Sequence, residues 1–130
     1  MTYRVFGIPL AQGRPRAALI AGKVRVYDPK ASRDWKRTVH AQVLDQLPKG
    51  SQPTRQPISV FFTFYLIRPK SLPKKVIWPA KRPDLENYIK GTMDALQGLL
   101  FSDDAQVVRL EATKVFDPRP GVSIRVEELA

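Results

Sequence analysis

The sequence predicts a single α+β domain: a small mixed β-sheet with two main helices packed on it. Three observations carry this expectation. Strand-like and helix-like segments run in the order strands, helix, strand, helix, hairpin, which layers two helices on one sheet. The 130 residues suit one compact domain over 1–130, and no internal repeat or second domain is visible. A hydrophobic content of 43% supplies a core, and a charged content of 26% does not signal disorder.

Residues 3–9 read as a first strand, with Tyr3, Val5 and Gly7 on one side and Arg4, Phe6 and Ile8 on the other. Residues 10–18 read as a loop carrying Gln12-Gly13-Arg14-Pro15-Arg16. Leu19-Ile20 and residues 24–27 pair as a small hairpin over Ala21-Gly22-Lys23. Asp28-Pro29 starts the first helix, with Asp as N-cap and Pro at the first helical position. Ala31, Trp35, Val39, Val43 and Leu47 follow as an apolar stripe, and Pro48-Lys49-Gly50 stops the helix. Residues 57–67 are the clearest strand. They are apolar on both faces, which predicts a central strand or one at a subunit contact.

Residues 68–82 are rich in Pro and Lys, with Trp78 as the expected anchor. Residues 84–97 form the second helix, ended by Gly98. Its wheel gathers Leu85, Ile89, Thr92, Met93 and Leu96 on the core side, with Glu86, Asn87, Lys90, Asp94 and Gln97 opposite. Asp103-Asp104 makes a turn, and residues 107–116 and 122–127 form two strands joined by a hairpin-type loop.

Charge narrows the function. Lys and Arg number 22 against 12 Asp and Glu, for a net charge of +10. Such an excess favours nucleic acid, or less often an anionic membrane, as the partner. The apolar runs are far too short to span a bilayer, so a membrane protein is not expected. The start Met1-Thr2-Tyr3-Arg4 leads straight into a strand, so a signal peptide is not expected either. Without cysteine there is no disulfide, zinc–thiolate site or cysteine nucleophile, which is compatible with a reducing cytosol. With His40 as the one histidine, a histidine-rich metal site or a Ser–His triad is not expected.

Against this basic background, Asp84, Glu86, Asp103 and Asp104 stand close together with Lys90. Like charges gathered so tightly resist ionisation unless a cation joins them. Hard carboxylate oxygens from two segments suit a divalent metal at a phosphodiester, and a nearby lysine suits charge developing there. If the strand after Asp104 pairs beside the start of the second helix, Asp104 or Asp103 closes the cluster. Spacing alone leaves a plainer reading open. Asp84 is also an ordinary N-cap, Glu86 a partner of the helix dipole, Glu86–Lys90 an i,i+4 ion pair and Asp103-Asp104 a turn.

Arg82-Pro83-Asp84-Leu85-Glu86-Asn87-x-x-Lys90, then Asp94-Ala95-Leu96, then Asp103-Asp104-Ala105-Gln106-Val107-Val108, resembles the signature of the RusA-like Holliday-junction resolvases. The family pattern is D-L-D-N-x-x-K, then D-A-L, then D-D-A/S-Q-V. Looser similarity lies in Gly13-Arg14-Pro15-Arg16, in Tyr27-Asp28-Pro29-Lys30 and in the closing hairpin. The resemblance implies a homodimeric endodeoxyribonuclease of mixed α/β fold, dependent on Mg2+ with Mn2+ as a substitute. Its substrate would be four-way DNA junctions, in recombination and repair. It places Asp84, Glu86 and Asp104 at the metal-binding acids and Lys90 at the catalytic lysine, with Asp103 the neighbouring acid. Glu86 stands where the family commonly has Asp, and its extra methylene moves the carboxylate by about 1.5 Å.

Arg14, Arg16, Lys70, Lys74, Lys75, Lys81 and Arg82 are the expected DNA-binding residues. Lys114 is expected either to point at the acids or to snorkel from the sheet. Trp35, Trp78 and the Phe61 to Phe64 group are expected in the core or a dimer contact rather than as base-stacking platforms. The expectation is thus a cytoplasmic enzyme of a bacterial cell, encoded by host, phage or prophage, cutting a junction at paired symmetric positions. The alternative is a non-catalytic basic DNA-binding module.

Overall fold

The computed structural model describes residues 1–11, 16–27 and 30–129. The two-sided apolar stretch forms β4 (Ile58–Leu66), an inner strand of a four-stranded sheet. On one side it pairs antiparallel with β6 (Gly121–Glu128), on the other parallel with β5 (Val107–Phe116). β1 (Thr2–Phe6) adds to the far edge of β6, so the order is β1-β6-β4-β5 and the sheet is mixed. β1 is shorter than expected because its partner runs out: Phe6 pairs with Gly121, the first residue of β6. Gly121 sits at φ 156°, where a Cβ would overlap the Val5 carbonyl oxygen, so only glycine lets the two strands meet there.

The helices α1 (Lys30–Gln46) and α2 (Leu85–Leu96) pack on one face of this sheet. Tyr3, Val5, Val60, Phe62, Phe64, Val122 and Ile124 supply the sheet side of the core. Trp35, Val39 and Val43 of α1 and Tyr88, Met93 and Leu96 of α2 supply the other. Between the helices, the buried Trp35 indole donates to Thr92 Oγ1 at 3.2 Å, giving an enclosed N–H its partner. Ala31 is exposed and Ser32 is buried in its place. A stripe at every fourth residue drifts about 40° per step against a 3.6-residue turn, so its two ends cannot both face the core.

The opposite face of β4 has no helix over it among the described residues. Phe61 lies under the Arg125 guanidinium at 4.0 Å, and Tyr65 under that of Arg4 at 4.2 Å. Flat cations from β6 and β1 thus cover part of the second apolar face. β2 (Arg16–Ile20) and β3 (Lys23–Tyr27) form a separate two-stranded hairpin. Ala21 and Gly22 turn it, with φ of 52° and 76°, the positive pair that a two-residue hairpin loop needs. The first strand of this hairpin begins at Arg16, not Leu19, so the preceding loop is shorter than expected. The Asp28-Pro29 helix start and Arg14 lie outside the described residues.

Candidate active site

Asp84 occupies the N-cap of α2 with extended backbone, but its side chain makes no capping hydrogen bond. Its carbonyl accepts from the Asn87 N–H, so the main chain opens the helix without the carboxylate. Glu86 and Lys90 follow one turn apart, both exposed, and no ion pair joins them. Two of the plainer readings, cap and i,i+4 pair, are therefore not used in this structure. Among the described residues the side chains of Asp84, Glu86 and Lys90, at the start and middle of α2, are without polar partners.

Lys114 neither points at these acids nor simply snorkels. Its ammonium donates to the carbonyls of Lys81 and Pro83, at 2.9 and 3.0 Å. It thereby ties the chain entering Asp84 to the far part of β5. The Arg68 guanidinium does the same at the start of this arm, residues 68–83. It donates to the carbonyls of Val76 and Pro73 and lies 5.3 Å over the Phe116 ring. Between the two clamps, Lys70, Lys74, Lys75, Lys81 and Arg82 are exposed and form no ion pair among the described residues. Trp78 is not the anchor of the arm: it is 60% exposed. Arg16 opens β2, and its side chain lies outside the described residues, as Arg14 does entirely.

Asp103 and Asp104 lie near the other end of α2. Asp103 caps a single 3₁₀ turn, Asp104–Gln106, by accepting from the Ala105 N–H at 2.9 Å. Gln106 returns the contact, its Oε1 accepting from the Asp103 N–H at 2.8 Å, while its amide nitrogen donates to the carbonyls of Thr54 and Gln56. Asp104 instead turns its carboxylate to the Gln97 amide, which in the orientation that satisfies both groups donates to both oxygens at 2.9 and 3.1 Å. Partial burial holds the Asp104 carboxyl above the ordinary range, and the negative charges of Asp94 and Asp103 add to the rise. Asp94 in turn pairs with Lys36 of α1 at 3.4 Å.

The acids therefore divide along α2. The helix has 12 residues, about 18 Å at 1.5 Å per residue, with Asp84 and Glu86 at its start and Asp104 beside its end. β5 begins at that end, so the expected closure of Asp104 onto the helix start does not occur within one chain. Among the described residues no three of His, Cys, Asp and Glu gather into a group able to hold a metal ion. The wheel placed Asp94 and Gln97 on the correct exposed side, but their partners come from other segments and leave no local signal. Tyr88 escaped the core list too, although it stacks on Phe64 at 5.4 Å.

Comparison with known families uses nearly the whole fold. The family model for endodeoxyribonuclease RusA matches residues 7–127. The chain belongs to the RusA family. Among curated RusA relatives, the crossover junction endodeoxyribonuclease rusA of Lactococcus phage r1t is 31% identical, covering 94% of this chain and 92% of its own. An uncharacterised protein of Bacillus subtilis, YqaN, is 33% identical, covering 98% of this chain and 96% of its own. The RusA match spans both ends of α2, the arm, β4, β5 and nearly all of β6.

Proposed function

We propose that this RusA-family chain is a magnesium-dependent endodeoxyribonuclease that resolves four-way DNA junctions as a homodimer, in recombination and repair. One observation carries the reading. Asp84, Glu86 and Lys90, which stand in the motif that resembles the RusA signature, project from the first half of α2 beside an arm with five exposed cations, all without ion pairs among the described residues. The arm attracts the phosphate backbone, and the acids sit where it delivers the strand. The phage relative named as a crossover junction endodeoxyribonuclease supports the four-way junction as substrate and a phage or prophage origin. The reaction then belongs in the cytoplasm of a bacterial cell, where the DNA is. Among the described residues no helix is long and apolar enough to cross a membrane.

The donor set suits a hard cation. Asp84 and Glu86 offer exposed carboxylate oxygens, and magnesium is commonly held by one or two carboxylates plus substrate phosphate. When bound, such an ion neutralises phosphate charge and lowers the pKa of an attacking water. Manganese has the same preference for oxygen ligands. Lys90, one turn along the helix, stabilises charge on the phosphate oxygens as they gain it. Asp104 is too far along α2 to join Asp84 in the same chain. A two-fold homodimer removes this difficulty, because it can place Asp104 of a second copy beside Asp84 and Glu86 of the first.

The test is a synthetic four-way junction incubated with purified protein, with and without magnesium, and read on a denaturing gel. Paired symmetric cuts that need magnesium are expected. Binding without any cutting in magnesium or manganese would leave a non-catalytic DNA-binding module.

A further inference from the structure

The arm over residues 68–83 places apolar side chains in water. Ile77 is 70% exposed and Trp78 60% exposed, although the main core lies within reach of the same arm. This exposure is built into a held segment. Leu72 N–H donates to Pro69 O, Val76 N–H to Pro73 O and Ala80 N–H to Trp78 O, while Arg68 and Lys114 clamp the two ends. Beneath the arm runs an open cavity of about 570 Å³, lined by Ile8, Leu66, Val76, Trp78, Tyr88 and Phe116 among others. Lys81 and Arg82 line it too, with Lys74 and Lys75 next to Val76 in sequence. No acid occurs between residues 68 and 83.

We infer that Trp78, with Ile77 beside it, is a platform for an unstacked nucleobase of branched or single-stranded DNA. The inference rests on the proposed junction substrate and adds to it a means of recognition. A flat indole offers a stacking surface to any base, and nearby cations take the phosphates on either side, the combination by which single strands are held. In an intact duplex both faces of each base are covered, so the platform meets a base only where stacking is broken. A four-way junction held open by phosphate repulsion, as in EDTA, breaks stacking at its branch point. The arm runs directly into Asp84, so a base held at Trp78 fixes the adjoining strand near the acids. A second copy of this chain is a poorer occupant. A two-fold contact through this patch would set its unpaired cations against the same cations of the partner.

The intact protein supplies its own probe, because its tryptophans differ: Trp35 is 3% exposed and Trp78 is 60% exposed. In EDTA, titration with oligo(dT) or with the four-way junction should quench the acrylamide-accessible emission. A blunt duplex of equal length should not. Trp78→Ala should weaken binding of oligo(dT) and the junction about ten-fold or more, as loss of one stacked base does. Its duplex affinity should stay within two-fold, and Trp78→Phe should restore most of the loss. Junction binding with no change in Trp78 emission would overturn the inference. So would a dimer that Trp78→Ala converts to monomer, which would make the patch a subunit contact. Equal quenching by phosphatidylglycerol vesicles would instead assign the patch to an anionic lipid surface. Failure to cleave a junction in magnesium would sink the proposed function and leave the quenching result standing. Wild-type binding and cleavage by Trp78→Ala would sink only the platform.

Discussion

Asp103 and Asp104 are adjacent and chemically identical, yet the chain uses them differently. Asp103 caps a turn, and Asp104 turns to Gln97 near Asp94. Asp103→Ala should therefore act mainly on stability, by removing the cap of the Ala105 N–H, whereas Asp103→Asn keeps an oxygen that caps it and should change little. Asp84→Asn and Asp104→Asn should each lower junction cleavage by about 100-fold or more, given what even a small misplacement at a reacting centre costs. Binding measured by gel shift should stay intact or tighten, as a negative charge near phosphate is removed. Glu86→Gln should behave likewise, and Glu86→Asp should retain activity. Part of this division was legible beforehand. Asp103-x-x-Gln106 is a capping-box pattern that marks Asp103 as structural. The freedom of the Asp84 carboxylate was not legible, because a residue at an N-cap position caps only if its rotamer reaches the N–H. Lys90→Ala should reduce single-turnover cleavage about 100-fold while affinity falls far less, since one cation among 22 adds little to general attraction.

At the scale of elements, the arm is the part that composition described least well. Its prolines and lysines suggested a loop pinned by its aromatic residue. The pins are Arg68 and Lys114, each donating to main-chain carbonyls. A long basic side chain gives no sequence sign that it will turn inward to backbone oxygens. Arg68→Ala should release the first turns of the arm. The amides of Leu72 and Val76 should then exchange with solvent about ten-fold faster or more, as expected for losing hydrogen bonds to a charged group. The melting temperature should move little, because the arm is outside the main core. The helices and β4 were far more legible. Their periodicity is imposed by burial of one face, and that constraint repeats over many residues.

At the scale of the molecule, the division of acids along α2 gives the homodimer proposal a sharp test. Asp84→Asn and Asp104→Asn proteins, each inactive alone, are mixed so that subunits exchange. If each site draws Asp84 from one copy and Asp104 from the other, the mixed dimer has one intact site and one doubly altered site. Single nicks in the junction are then the expected product, at up to about half the activity per dimer. If each site lies within one chain, the mixture stays silent. Binding should also weaken steeply with salt. About six phosphate contacts would give a slope near −5 for log K against log salt, which a titration from 50 to 200 mM would measure.

The order β1-β6-β4-β5 also bears on how this chain is made. β6, the last strand of this domain in sequence, lies between β1, the first, and β4. Thr2 pairs with Arg125, so the sheet joins residues from opposite ends of the sequence. Until residues 121–128 emerge, β1 has no partner in the main sheet, and β4 leaves one edge open. Long-range pairing of this kind slows folding, because distant segments must meet before any contact rewards them. Between completion of β4 at residue 66 and the emergence of residues 121–128, the nascent chain therefore presents an unpaired β4 edge, flanked by apolar faces. Completion of the sheet has to wait for residues 121–128, and a fragment ending before residue 121 should remain unfolded and bind holding chaperones.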